Sequence, residues 1–207
     1  MHVNYFDFGL CSGEELHWMV NHYFPSLGVE DYSAYGFEAS HPYWNNLNQF
    51  FSSNENVSIV HSAISEKHGE IVRLYHSPNT VGHSIFSTKN NVLIDDYEDV
   101  RSVVFSEWLS ENKIDLTGSL NILKVNIEGA EYFLFRDIIE SGLRDHFSIF
   151  LGTGHDIEKV EELKDNVSEY ETLLTDNNIE ILRYTEWKPE RNVDVVALID
   201  SKLCELE

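Results

Sequence analysis

Three groups of residues in this chain have types and spacings suited to ligand binding, and each falls where an apolar run gives way to a helical pattern. The first is Asp7-Phe-Gly9-Leu-Cys-Ser-Gly13. Glycine reaches positive φ without a steric penalty, so this pair allows a tight turn and a close approach of backbone to ligand. The first N–H groups of the following helix have no intrahelical partners and face the same place. The spacing is G-x-x-x-G, not the G-x-G-x-x-G that seats a pyrophosphate, and Glu14 and Glu15 put negative charge where a phosphate would lie. Taken alone, the loop fits a structural turn equally well. The second group is Glu38, at the end of the next apolar run, where an acidic side chain reaches the ribose hydroxyls of an adenosine ligand in doubly wound sheets. An exposed strand-end carboxylate is the plainer alternative. The third is Lys124-Val-Asn126-Ile-Glu128-Gly129-Ala130-Glu131. Positions 124, 126 and 128 alternate along a strand tip and so point one way, which is costly in a buried strand unless they face a ligand or each other. A Lys124–Glu128 contact would satisfy the second possibility.

The elements that must position these groups follow from periodicity. Residues 2–8 form an apolar strand, and EELHWMVNHYFPSL has apolar residues at helical spacing up to Pro25. Strand 33–39 and a helix with Pro42 in its first turn repeat the pattern. Strand 57–63 ends before a turn at Gly69. From 69 to 105 the chain reads as an irregular insertion near a site, with VLIDDYEDV and VRSVVF as its extended pieces and a helix starting behind a Ser106 cap. Strand 120–127, helix 128–142 closed by Gly142, strand 146–152 and a long acidic helix at about 156–176 follow. Strands 179–187 and 193–199, joined by KPERN, read as an antiparallel edge hairpin. Fully apolar strands alternating with helices imply a mostly parallel sheet covered on both faces, in one domain spanning 1–207.

Composition narrows the function. The chain has 207 residues, 42% of them hydrophobic and 13% aromatic, enough to bury a core without disulfides or metal. With 14 Lys+Arg against 36 Asp+Glu the net charge is −22, which disfavours a nucleic-acid partner because phosphate neutralisation needs clustered cations. Cys11 and Cys204 lie at opposite ends and fit reduced thiols in a cytoplasmic setting. No apolar stretch is long enough for a signal or a membrane span. His17 and His22 are five apart and miss the four-residue spacing of helical metal ligands, so no metal is expected.

Set side by side, the motifs resemble the FkbM family of methyltransferases from about residue 4 to 199. FDFGLCSG resembles the family's first cofactor loop, AYGFEASHP its second-strand acidic motif, IVHSAISEKHGE its third-strand segment, and ILKVNIEGAEYFLF its Lys-x-Asp-x-Glu-Gly-x-Glu signature. The resemblance implies a Rossmann-like class I methyltransferase fold with seven strands. It implies S-adenosyl-L-methionine lying across Asp7, Gly9 and Gly13, with Glu38 on the ribose, Ser62 and Ala63 flanking the adenine, and Asn126 to Glu128 bordering the methyl group. The sequence departs from the family pattern at Asn126, where Asp is usual, at Cys11 in place of Asn and at Ala39 in place of Pro.

Methyl transfer needs an aligned acceptor and a group to take its proton. A neutral histidine suits a hydroxyl acceptor near neutral pH, and His83, in the irregular VGHSIF segment, and His155, after the fifth strand, are placed to approach the cofactor mouth. Glu128 and Glu131 are the carboxylate alternatives. By analogy the acceptor is an oxygen on a sugar or other small metabolite. The rival readings are an NAD-dependent oxidoreductase on a similar sheet, and a cofactor-binding protein of the same fold that has lost transfer through Asn126.

Overall fold

The computed structural model describes residues 1–79, 81–184 and 193–206. In chain order, β1 (Val3–Phe8) leads into α1 (Glu14–Trp18), which continues through a π-helical turn (Met19–Tyr23) into α2 (Phe24–Ser26). β2 (Tyr32–Glu38), α3 (His41–Phe50) and β3 (Val57–His61) follow. The middle of the chain holds β4 (Ala63–Ile64), β5 (Ile71–Tyr75) and β6 (Tyr97–Val103). The remainder runs α4 (Phe105–Asn112), β7 (Leu120–Val125), α5 (Glu131–Glu140), β8 (Phe147–Gly152), α6 (Val167–Asp176), β9 (Ile181–Leu182) and α7 (Val193–Leu206).

Six strands make the central sheet in the order β3-β2-β1-β7-β8-β9, and every neighbouring pair is parallel. The order is consistent with a Rossmann-like fold. β1 and β7 are buried along their whole length, so their side chains alternate between two apolar layers. Phe6, Phe8, Leu123 and Val125 face α4, α5 and α6 through Phe105, Trp108, Leu134, Phe135 and Tyr170. Val3, Tyr5, Leu120 and Ile122 face the other way, against Leu16, Met19, Phe24, Leu47, Val195 and Ile199. The chain winds outward from β1 in one direction and returns to its other side at β7, which leaves a crevice beyond the C-terminal ends of these two strands. A separate three-stranded sheet, β4-β6-β5, is built from the middle segment, with β5 antiparallel and β4 parallel to β6. Among the described residues no helix is long and apolar enough to cross a membrane.

The structure corrects four expectations. The antiparallel edge hairpin is absent: β9 pairs parallel with β8, and 193–199 belongs to helix α7, whose Val195, Leu198, Ile199 and Leu203 pack on the sheet at helical spacing. Among the described residues the central sheet therefore has six strands, not seven; the KPERN turn and residues 185–187 lie outside the described residues. The long acidic helix begins only at Val167, because 156–166 forms two 3-10 turns held to the small-sheet loop. Ser106 is not a cap; Val104 precedes α4, and the Ser106 backbone N–H and hydroxyl both donate to Asp137 on α5, at 2.8 and 2.5 Å.

Candidate active site

The loops after β1, β2, β3 and β7 meet in a cleft of about 350 Å³. Gly9, Leu10, Cys11, Glu38, Ser62, Ala63, Asn126, Ile127 and Glu128 line it, together with residues 81–85 from the small-sheet side. Three of the four segments that drew attention in the sequence thus share one wall system, and the fourth, 62–64, completes it. The close fit explains Gly9. Its φ is +84°, and a Cβ there would come within 1.9 Å of the Asn126 carbonyl oxygen, so a side chain would push the β1 and β7 tips apart.

Glu38 is 7% exposed and fixed from both sides. The Cys11 N–H donates to Oε2 at 2.7 Å, and the Ser40 N–H, at the start of α3, donates to Oε1 at 2.8 Å. Each oxygen keeps a further lone pair for a ligand. Burial pushes this carboxyl up to about 7 despite the two N–H donors. Beside it, Ser62 is 4% exposed, and its hydroxyl has no hydrogen-bond partner among the described residues. Buried hydroxyls are nearly always satisfied, so an orphan on a cleft wall points to a ligand atom.

Asp7, Gly13 and His155 do not line the cleft, contrary to expectation. Asp7 is fully buried behind the loop, its carboxylate 2.8 Å from Lys124 Nζ and accepting the Tyr5 hydroxyl at 3.1 Å. Its place opposite Lys124 in the β1–β7 register makes it a structural counter-ion. Gly13 sits at the start of α1 with φ +77°, where its missing Cβ makes room for Leu47. His155 is exposed and precedes the 3-10 turn Asp156–Lys159.

Lys124 also departs from its expected place. Its side chain is fully buried and points under the β1–α1 loop, bonding Glu15 at 2.7 Å and the Gly9 carbonyl at 3.1 Å, and it makes no contact with Glu128. Burial works against the ammonium, but Asp7 and Glu15 outweigh it and hold its pKa above the ordinary value. Burial, then the Glu15 charge, lift Asp7 to about 6 against the pull of Lys124.

The turn after β7 carries the remaining candidates. Glu128 adopts φ +58°, a region that non-glycine residues avoid. Glu131 holds it there: fully buried, it accepts the Gly129 N–H at 2.7 Å and the Ile157 N–H at 2.9 Å. Glu131 is therefore a brace and no proton acceptor for a substrate; burial pushes it to about 7. Asn126 Oδ1 accepts the Thr153 hydroxyl at 2.8 Å, which leaves its amide NH₂ for the cleft. His83 lines the cleft, but its Nδ1 accepts the Ser77 N–H at 2.9 Å. A backbone N–H only donates, so the neutral ring carries its hydrogen on Nε2 and offers a donor to the cleft, with no free lone pair. Burial further holds its pKa below the ordinary histidine value. Glu128 is left as the better placed proton acceptor. Burial raises its pKa, with Lys89 opposing and Asp156 adding to the rise.

Lys89, Ser84 and Thr153 escaped the sequence reading, since nothing in TKNN, GHSIF or LGTG marks a contact that long-range packing creates. Among the described residues no group of three or more His, Cys, Asp or Glu is arranged to hold a metal ion.

Two buried carboxyls with raised pKa values make stability pH-dependent. For Glu38 and Glu131 the folded value lies above the unfolded one, so their burial is harmless when protonated and costs stability as pH rises. We expect stability to fall as pH rises from 4.5 through about 7. The rise from 4.5 to about 7 corresponds to roughly 3 kcal/mol, or about 10 °C in Tm, for each of the two glutamates. Calorimetric melts across this window check it; a flat or rising Tm removes the account.

A scan of protein-family models finds no match to this chain, and a search of curated proteins finds none either.

Proposed function

We propose that this chain is an S-adenosylmethionine-dependent methyltransferase with the class I architecture, resembling the FkbM family, acting on a hydroxyl of a sugar or other small metabolite. The observation that supports this most directly is Glu38: a carboxylate at the tip of β2, beside the sheet's switch point, with one lone pair on each oxygen left for vicinal ribose hydroxyls. The unpartnered Ser62 hydroxyl supplies a second polar contact on the same wall. The lining contains Glu14, Glu15, Glu38 and Glu128 and, among the described residues, no lysine or arginine. Glu15 and Glu128 are paired with Lys124 and Lys89 behind the wall, so the lining has no positive charge to spare for the pyrophosphate of a dinucleotide.

In this reading Gly9, Leu10, Cys11, Glu38, Ser62 and Ala63 would hold the donor. When bound, the donor supplies a methyl group on a positively charged sulfur. The protein's own work is to bind, orient and deprotonate. Asn126 offers an amide donor at the β7 tip, His83 an Nε2–H at the opposite rim, and the Glu128 carboxylate receives the proton of an acceptor hydroxyl. The missing cations in the lining favour a neutral acceptor over a phosphorylated one. The rival that retains binding but not transfer is favoured by Asn126, an amide where the resemblance leads one to expect a carboxylate.

Isothermal titration with S-adenosylhomocysteine and with NAD⁺ tests the reading. Micromolar binding of the first and no heat from the second is the expected result. Binding of NAD⁺ alone, or of neither, defeats it. Tritiated donor with a panel of neutral hydroxyl compounds then separates transfer from binding alone.

A further inference from the structure

Lys89 belongs to no motif, yet its side chain is 1% exposed. Its Nζ uses its donors on three acceptors: the Gly82 carbonyl at 3.1 Å, Asn91 Oδ1, and Glu128 Oε2 at 2.8 Å. The backbone around it is clipped to the 3-10 region, with the Asn90 N–H donating to the Lys159 carbonyl at 3.1 Å and Lys89 bridged to Val160. Burying an ammonium is expensive unless its partners are good. A lysine used merely to fasten the 81–85 loop would need only Gly82 and Asn91. The third partner is a cleft-lining carboxylate on a backbone held at positive φ.

The other charged groups facing Glu128 are Asp156 and Lys159, which are paired with each other at 2.7 Å. Elsewhere on the cleft wall, Glu15 is held by Lys124, Glu38 by Cys11 and Ser40, and the His83 lone pair by Ser77. Glu128 alone among these four is paired with a cation that also grips the loop lining the opposite side.

We propose that Lys89 is the positioning residue for Glu128, keeping that carboxylate ionised and turned into the cleft to receive a proton from the acceptor. The acceptor's part rests on the methyltransferase reading; the coupling between Lys89 and Glu128 does not.

The test is a carbon-13 NMR titration of glutamate carboxyls in the full chain, with the Glu128 resonance identified by its loss in E128Q. Lys89→Met is expected to raise the Glu128 midpoint by about one unit or more, since an adjacent opposite charge is lost. Asn91→Ala, which loosens Lys89 without removing it, is expected to shift it the same way by less. A lysine that only fastens the loop leaves the midpoint where it was, and an unmoved midpoint in folded K89M overturns the proposal. Should K89M fail to fold, an unmoved midpoint in N91A overturns it instead. S-adenosylhomocysteine titration of the wild type is run in parallel. Absent binding with a shifted Glu128 midpoint defeats the methyltransferase reading and upholds the coupling.

Discussion

On the proposed function, replacing Glu38 by alanine is expected to weaken S-adenosylhomocysteine binding by about 100-fold or more. Each hydrogen bond to a charged acceptor is worth ~1.5–3 kcal/mol, so two ribose hydroxyls together account for at least about 3 kcal/mol, and each 1.4 kcal/mol is about tenfold in affinity. The substitution also strips the Cys11 and Ser40 N–H groups of their acceptor and loosens the β1–α1 loop. Glu38→Gln, which keeps one carbonyl acceptor, is expected to lose about tenfold. The wild-type affinity should itself fall as pH drops through the Glu38 midpoint of about 7, because the hydroxyls donate to the ionised form. In E38Q that dependence vanishes. Titration calorimetry on the three proteins checks this, and an E38A protein that binds like wild type removes Glu38 from the site.

The second large effect belongs to Lys124→Met. Its ammonium neutralises Asp7 and Glu15 and holds the Gly9 carbonyl, all from a fully buried position. Methionine fills the volume but leaves a carboxylate with no cation in the sheet. Breaking a buried pair from one side costs about 3–5 kcal/mol, which for a chain of this size lowers Tm by roughly 10 °C. The double variant K124M/D7N should regain part of that loss. Denaturant melts at fixed pH measure both; equal stability of K124M and wild type means the pair contributes nothing. The same substitution frees the β1–α1 loop, so ligand affinity falls with stability.

The parallel sheet was legible because its strands are apolar throughout, a pattern that burial on both faces demands. Helix α7 was missed because VDVVALI is rich in β-branched residues. Its helical spacing becomes visible only when Leu203 is counted with Val195, Leu198 and Ile199. Of the residues that line the cleft, Gly9, Glu38 and Asn126 were readable from their places at strand ends, and Ser62 and Ala63 came only from the resemblance. Lys124 was misread because the period-two argument was carried past the end of the strand, and Asp7 was placed on the cofactor by the resemblance, which carries no sign of its buried pairing with Lys124. β7 stops at Val125, and the chain turns at Glu128 with φ +58°, so 124 and 128 do not point together. His83 lines the cleft, and the Ser77 N–H that fixes its tautomer is a tertiary contact with no local signal. Lys89 had no local signal at all.

The register of the central strand also governs when this molecule becomes whole. β1 pairs with β2 almost at once, but its other edge waits for β7, with Val3 opposite Leu120. Until more than half the chain has left the ribosome, β1 presents an open, apolar edge, and closing such a distant pairing is slow. The segment that seals it, residues 120–131, is the same one that brings Lys124, Asn126 and Glu128 to the Gly9 loop. A nascent or truncated chain ending before it therefore has neither a finished sheet nor a binding cleft, and it is during this interval that self-association is the greatest hazard.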